Sequence, residues 1–316
     1  MLNEISIYFS IQHSALSIAV MFHKVAVAGF GLIGGSMAMA LRAGARAAAA
    51  GSGRLHLSAW TPDGRGPGRG LALGLLDAAP GDPGSTIAGA ELVVLAGPPL
   101  AVLSALDDLA GGWRDALGTA LVTDVASTKS SIVDRATALG LRFVGGHPMA
   151  GRDSSGVEAA SAALFRGRAW AVVPPAGAAE ADVATIESLA AATGARPLRL
   201  GAAEHDAAVA AISHVPMLAA AALVEAMTAA PAWHSGVARE LASSGWRDAT
   251  RLAAGSPVMG AGILATNAAE VTPRLRAMRD ALDRWIAELE RVGGPDLATL
   301  QARLAAARAA LGEPGP

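Results

Sequence analysis

The sequence predicts an α/β fold, a doubly wound, mainly parallel sheet followed by an all-helical second domain, and three observations predict it. Residues 25–41, VAVAGFGLIGGSMAMAL, set a short Val-rich apolar run directly before turn glycines and a helix-compatible stretch, the order of a buried parallel strand feeding a helix. Short apolar runs then alternate with helical stretches as far as residue 201, as in sheets built from βαβ units. From about Ala202 only helical patterns remain. A chain of 316 residues is long enough for two cores of ordinary size. We place the boundaries at 21–201 and 202–316, with residues 1–20 as an N-terminal extension.

Composition narrows the chemistry. At 52% hydrophobic residues and a net charge of −2, the chain reads as globular with no electrostatic case for nucleic acid. The absence of cysteine excludes disulfides, thiol nucleophiles and cysteine-ligated zinc. The single tyrosine, Tyr8, lies ahead of the first core strand, so reductase chemistry needing a tyrosine acid is excluded from the folded body. Lys24 and Lys129 are the only lysines, which leaves Lys129 as the one place for a catalytic lysine. The first twenty residues are apolar but lack a cationic start and a small-residue cleavage site, so no secretory signal is read. No run of 18 apolar residues reads as a span. A cytoplasmic protein with no membrane partner is expected, with Met21 as a second candidate start.

Gly29, Gly31 and Gly34 fall at GxGxxG spacing after the first strand. In a Rossmann-like unit the first glycine allows the tight turn, the second lets backbone approach a pyrophosphate, and the third packs helix on strand. Backbone N–H groups of the first helical turn, with Leu32 and Ile33, would hold the phosphates. LHLSAW at 55–60 is the expected second strand. An Asp or Glu closes that strand in NAD-preferring units, whereas Thr61 stands here, with Arg65 and Arg69 beyond it in a Gly/Pro-rich loop. NAD or NADP fits, and the hydroxyl and arginines lean to NADP; the alternative is that Asp63 fills the acidic role.

ELVVLAGPP at 91–99 reads as a third strand stopped by Pro98 and Pro99 at the edge where a cofactor would lie. TALVTDV at 119–125 is a fourth, leading into ASTKSS, where Ser127 or Ser130 can cap the next helix. Ser127 and Lys129 thus sit at the carboxyl end of a central parallel strand, where doubly wound sheets bind ligands. RFVGGHPMAG at 142–151 is a short strand whose Gly-rich exit carries His147, a general-base candidate placed in the same sheet. AWAVVP at 169–174, a helix at about 180–193 and RPLRLG at 196–201 close the sheet.

In the helical half, Pro216 should bend an Ala-rich helix. His205 and His214 are nine residues apart, roughly 180° around an ideal helix, so no shared metal is expected. Arg247 and Arg251 share one helix face, an anion site or a solvated basic face. Leu275, Met278, Leu282, Trp285, Ile286 and Leu289 recur at helical spacing, and Leu297, Leu300 and Leu304 repeat it. That stripe reads as core or as the interface of a homodimer.

GFGLIGGS, TDVASTKS, GGHPMAG, EHDAAVAAISHVP and SSGWRDATRLA, in this order and spacing, resemble the prephenate and arogenate dehydrogenases of tyrosine biosynthesis, from about Val25 to about Asn267. The resemblance implies an oxidative decarboxylation: a cyclohexadienyl alcohol gives hydride from its carbinol carbon to a nicotinamide, loses its ring carboxylate as carbon dioxide and becomes aromatic. Prephenate gives 4-hydroxyphenylpyruvate this way, and arogenate gives tyrosine. The resemblance further implies that His147 bonds the ring hydroxyl and takes its proton, and that Ser127 orients the imidazole and lies against the nicotinamide. Arg247 would pair with a substrate carboxylate, His214 would line the substrate pocket, and no metal is required. Two positions depart from the pattern. Met217 stands where many relatives have a second His, and Gly260 follows Pro257-Val258-Met259 where many prephenate-type members have Trp, closer to the arogenate type. Asp153 is a candidate partner for arogenate's amino group. The competing readings are a β-hydroxyacid-type dehydrogenase, disfavoured because no lysine follows residue 129, and a non-catalytic nucleotide-sensing protein.

Overall fold

A computed structural model of the chain describes residues 22–47, 55–152, 154–234 and 236–312. The expected N-terminal extension, Met21 and Asp153 lie outside the described residues. The first strand, β1 (Lys24–Ala28), is the centre of a parallel sheet. It runs between β2 (His56–Trp60) and β3 (Leu92–Leu95), with β4 (Leu121–Asp124) outside β3, giving the order β2-β1-β3-β4. Successive residues of one strand enter different cores. Val25, Val27, Leu92, Val94 and Leu121 join one apolar cluster with Met37 and Leu41 of helix α1 (Leu32–Ala47). Ala26, Val93 and Val122 join another with Leu106, Leu109 and Ile132. A period of two with both faces apolar is what a sheet covered by helices on each side requires.

The sheet does not continue as one. Residues 142–144 meet β4 through Val122 N–H to Arg142 O at 2.8 Å and Val144 N–H to Val122 O at 3.0 Å, and then the chain turns away. Strands β5 (Gly145–Pro148), β6 (Ala169–Val173) and β7 (Arg196–Arg199) form a separate three-stranded sheet in which β5 is antiparallel to β6. The physical reason lies in the connection. Residues 149–168 carry only a three-residue 3-10 turn, Val157–Ala159, and without a crossover helix the returning strand pairs antiparallel. Gly146 makes the crossing possible, because a Cβ there would stand 2.6 Å from Asp124 O. His147 is thereby carried across the carboxyl end of β4.

Two local expectations change as well. The Gly/Pro-rich stretch after β2 is a helix, Arg65–Ala72, because Gly66 and Gly70 let it press against Phe30 and Pro67 sits in its first turn. Neither Ser127 nor Ser130 caps helix α2 (Ser130–Ala138). Its first amides are capped from a distance: Asp206 accepts from Lys129 N–H at 2.7 Å and from Ser130 N–H at 2.8 Å.

Asp206 belongs to helix α3 (Ala202–Val209), which runs through a π turn, Ala210–His214, into α4 (Val215–Thr228). The missing donor of Pro216 is thus absorbed by a widened turn. By length and composition Ala202–Thr228 is apolar enough to cross a membrane, yet His205, Asp206 and His214 on it are buried and hydrogen-bonded inside the protein. The chain divides into compact units Met1–Ala268 and Ala269–Pro316. The second holds most of α5 (Ala268–Leu289) and α6 (Leu297–Ala310). There Arg303 lies 3.7 Å from the Trp285 ring centre and donates to Arg284 O. Leu282, Ile286, Leu289, Leu297 and Leu304 are exposed, while Leu275, Met278, Trp285 and Leu300 of the same stripe are partly buried.

Candidate active site

The turn after β1 has the shape its three glycines allow. Gly29 adopts a φ of +104°, open to glycine, and donates to Trp60 O at 2.9 Å. A Cβ on Gly34 would collide with the Gly29 carbonyl, whereas one on Gly31 would meet nothing within 4 Å. The third glycine is therefore committed to packing and the second faces free space. That open side, at the start of a 16-residue helix, fits a pyrophosphate. Pro98 precedes a helix that begins at Pro99, just past β3.

Beside the turn lies a cleft of about 350 Å³ lined by Gly31, Thr61, Asp63, Arg65 and Glu158, among others. Thr61 donates its hydroxyl to Asp63 at 3.0 Å, and Arg65 donates its backbone N–H to the same carboxylate at 3.2 Å. Those bonds, the Thr61 one foremost, hold the Asp63 carboxyl below its usual range. Arg65 keeps its guanidinium in solvent, 3.7 Å from Asp63.

The second centre is built where β5 crosses β4. Asp124 and Lys129 form a fully buried ion pair, and Asp124 also accepts from Ala126 N–H at 2.9 Å and Gly146 N–H at 3.1 Å. These bonds pin the strand carrying His147 to the turn after β4. Breaking such a pair by removing one partner costs about 3–5 kcal/mol. With its ammonium enclosed, Lys129 is a structural cation and not a group open to a ligand. His147 is half-buried. Its Nδ1 lies 2.8 Å from His205 Nε2, and His205 Nδ1 lies 2.8 Å from Asp206 Oδ1. Burial, then the electrostatic influence of His205, Lys129 and His214, holds the His147 imidazole well below its usual pKa, so the ring is neutral at pH 7.

His214 extends the same network. Asn267 donates its side-chain amide to Asp206 O at 2.9 Å and to His214 Nδ1 at 3.1 Å. His214 Nε2 is then a buried N–H without a partner among the described residues, and burial pushes this ring down to about 4. The sequence placed His205 and His214 on opposite sides of an ideal helix; with a π turn between them, His205 meets the Asp206 carboxylate directly and Asn267 links His214 to the Asp206 carbonyl.

The structure does not unite every expected residue. No hydrogen bond joins Ser127, half-buried after β4, to His147, whose Nδ1 faces His205 Nε2. Arg247 is exposed on the helix Ser244–Thr250 and stands outside the histidine network. Sequence reasoning missed His205 and Asp206 as partners of His147. The signal was the adjacent His-Asp pair itself, which reads as a site only once another imidazole is placed against it.

Family models match this chain twice: "Prephenate dehydrogenase, nucleotide-binding domain" over residues 63–198 and "Prephenate dehydrogenase, dimerization domain" over residues 201–302. The prephenate dehydrogenase of Bacillus subtilis is 33% identical over 272 residues, covering 85% of this chain and 68% of that protein. The cyclohexadienyl dehydrogenase of Zymomonas mobilis is 27% identical over 86% of this chain and 87% of its own length. The crystal structure of Synechocystis arogenate dehydrogenase superposes with a TM-score of 0.71 at 30% identity, covering 91% of this chain and 99% of that one. Two matched domains in tandem, at this identity and coverage, make the chain a member of the prephenate dehydrogenase family.

Proposed function

We propose that the protein oxidises and decarboxylates a cyclohexadienyl alcohol, prephenate or arogenate, with hydride passing to a nicotinamide dinucleotide. The observation that carries this reading is His147: a neutral imidazole held across the carboxyl end of β4, where doubly wound sheets bind ligands. The dinucleotide, when bound, supplies the hydride acceptor. The chain's part is to bind, orient and move one proton. Gly29, Gly31 and Gly34, with the amides of Leu32 and Ile33, would hold the pyrophosphate, and Pro98 and Ser127 would border the nicotinamide. His147 Nε2 takes the ring-hydroxyl proton as the carbinol hydride leaves. The electrons of the breaking bond to the ring carboxylate then complete the aromatic ring and reach its oxygen, carbon dioxide departs, and the phenolate takes the proton back from His147. Aromatisation supplies much of the driving force, so positioning and proton acceptance are what the protein adds.

For the substrate's anionic groups, the unpartnered His214 N–H offers a donor and Arg247 an exposed guanidinium suited to a carboxylate. Asp153 is the acidic candidate for an amino group. Arogenate is the favoured substrate on one observation. The two departures from the family pattern lie together, since a Cβ on Gly260 would stand 3.5 Å from Met217 Sδ, and this apolar pair gives a keto group no donor. The cofactor reading reverses the lean to NADP. The Thr61 hydroxyl and the Arg65 amide are both engaged by Asp63, and Asp63 and Glu158 line one cleft, where two carboxylates would accept ribose hydroxyls and repel a 2′-phosphate. The exposed leucines of Leu282 to Leu304 support a homodimer, and a cytoplasmic location fits the biosynthetic role. The test is nicotinamide reduction with prephenate and arogenate, each against NAD and NADP. Fastest turnover with arogenate and NAD is expected, and His147→Asn should lower it by about 100-fold or more. No turnover in any of the four combinations refutes the reading.

A further inference from the structure

We propose that His205 and Asp206 position His147 and fix its tautomer, so that Nε2 is the bare nitrogen offered to substrate; this rests on the assignment of His147 as the base. The argument starts at Asp206. Its carboxylate accepts Lys129 N–H at 2.7 Å and Ser130 N–H at 2.8 Å; against the upward push of burial, the bond with His205 and then these amide bonds hold its pKa below the usual carboxylate range. It also sits at the amino end of helix α2, where negative charge is favoured. An ionised carboxylate only accepts, so His205 Nδ1, 2.8 Å away, carries a proton and donates it.

In this proposal that is the one proton His205 carries, which leaves the lone pair on Nε2. That atom lies 2.8 Å from His147 Nδ1, so His147 donates from Nδ1 and keeps its lone pair on Nε2. Nε2 of the half-buried ring has no partner among the described residues. Two buried groups, Asp206 and His205, therefore decide, through two hydrogen bonds, which nitrogen of His147 can receive a proton. When His147 takes the substrate proton at Nε2, its Nδ1 proton faces an acceptor backed by a carboxylate, and the new positive charge is shared along the row. His205 is 2% exposed and Asp206 1%, so water does not compete for either bond.

Nitrogen NMR of the histidine-labelled, unaltered protein tests the tautomer without turnover. His147 is expected protonated at Nδ1 and bare at Nε2; the opposite tautomer overturns the proposal. Kinetics give a second readout. Asp206 is left unchanged, because its loss would also uncap α2. His205→Leu should lower kcat by about 100-fold with KM within about threefold, and His205→Gln, which returns an acceptor near the place of Nε2, should recover about tenfold of that loss. Parental kcat in His205→Leu, or a Gln variant as slow as the Leu variant, overturns it. If His147→Asn is inactive while His205→Leu turns over normally, this proposal fails and the assignment of His147 stands. Parental turnover in His147→Asn removes both.

Discussion

Val25, Leu57 and Leu92 in the sheet have no exposed surface, whereas Ile212, Leu241 and Val258 in the helices beyond Ala202 are 69%, 76% and 69% exposed. The strands close their own core within the chain, with one apolar cluster on each face. The helices bury His205, Asp206, His214 and Asn267 while leaving several large apolar side chains exposed. Apolar surface of this kind is what the proposed homodimer would cover. One region closes its core within its own sequence, and the other leaves apolar surface open.

The largest expected effect tests the self-sufficient region. Gly34→Ala drives a Cβ into the Gly29 carbonyl, and backbone cannot yield as a side chain would, so a loss of about 3 kcal/mol is expected in urea unfolding. Gly31→Ala meets open space and should stay within about 0.5 kcal/mol of the parent. It should nonetheless weaken dinucleotide binding by about tenfold or more, read by calorimetric titration. Equal destabilisation by the two would erase the division between packing glycine and ligand-facing glycine.

The middle effect concerns the buried polar row. His214 is neutral when folded, pushed down to about 4 by burial, while in the unfolded chain it titrates near 6.5. Between those values the unfolded state binds more protons, so stability is full above about pH 6.5 and falls as pH drops toward 4. This ring contributes up to about 3 kcal/mol to that slope, and His147 acts in the same direction. Unfolding midpoints at about pH 7.5 and 5 should show the fall, and His214→Asn should flatten it. The smallest effect belongs to the helices: Leu241→Ser and Val258→Ser should change monomer stability by no more than about 0.5 kcal/mol. Elution in size-exclusion chromatography should nevertheless move toward a smaller species. An unchanged elution volume would mean that this face covers nothing.

The parts legible in the sequence are those fixed by local pattern. The Val-rich strands, the glycine turn and the switch to helices at Ala202 each follow from periodicity over a few residues. What the sequence did not show depends on partners far apart in the chain. Asp206 caps a helix 76 residues upstream, and His205 meets His147 across 58, so neither role leaves a trace in nearby spacing. The antiparallel β5–β6 pairing was hidden because its connection lacks the crossover helix that alternating strands and helices led one to expect. The π turn was hidden because Pro216 announces a disturbance without saying which hydrogen bonds take it up.

The double use of Asp206 ties two events together. The carboxylate that steadies His205 also occupies the Lys129 and Ser130 amides, so any fluctuation lifting Ala202–Val209 away frees both amides as it releases the imidazoles. Deuterium uptake at those two positions, followed in the intact enzyme, should then clock how often the row of histidines comes apart.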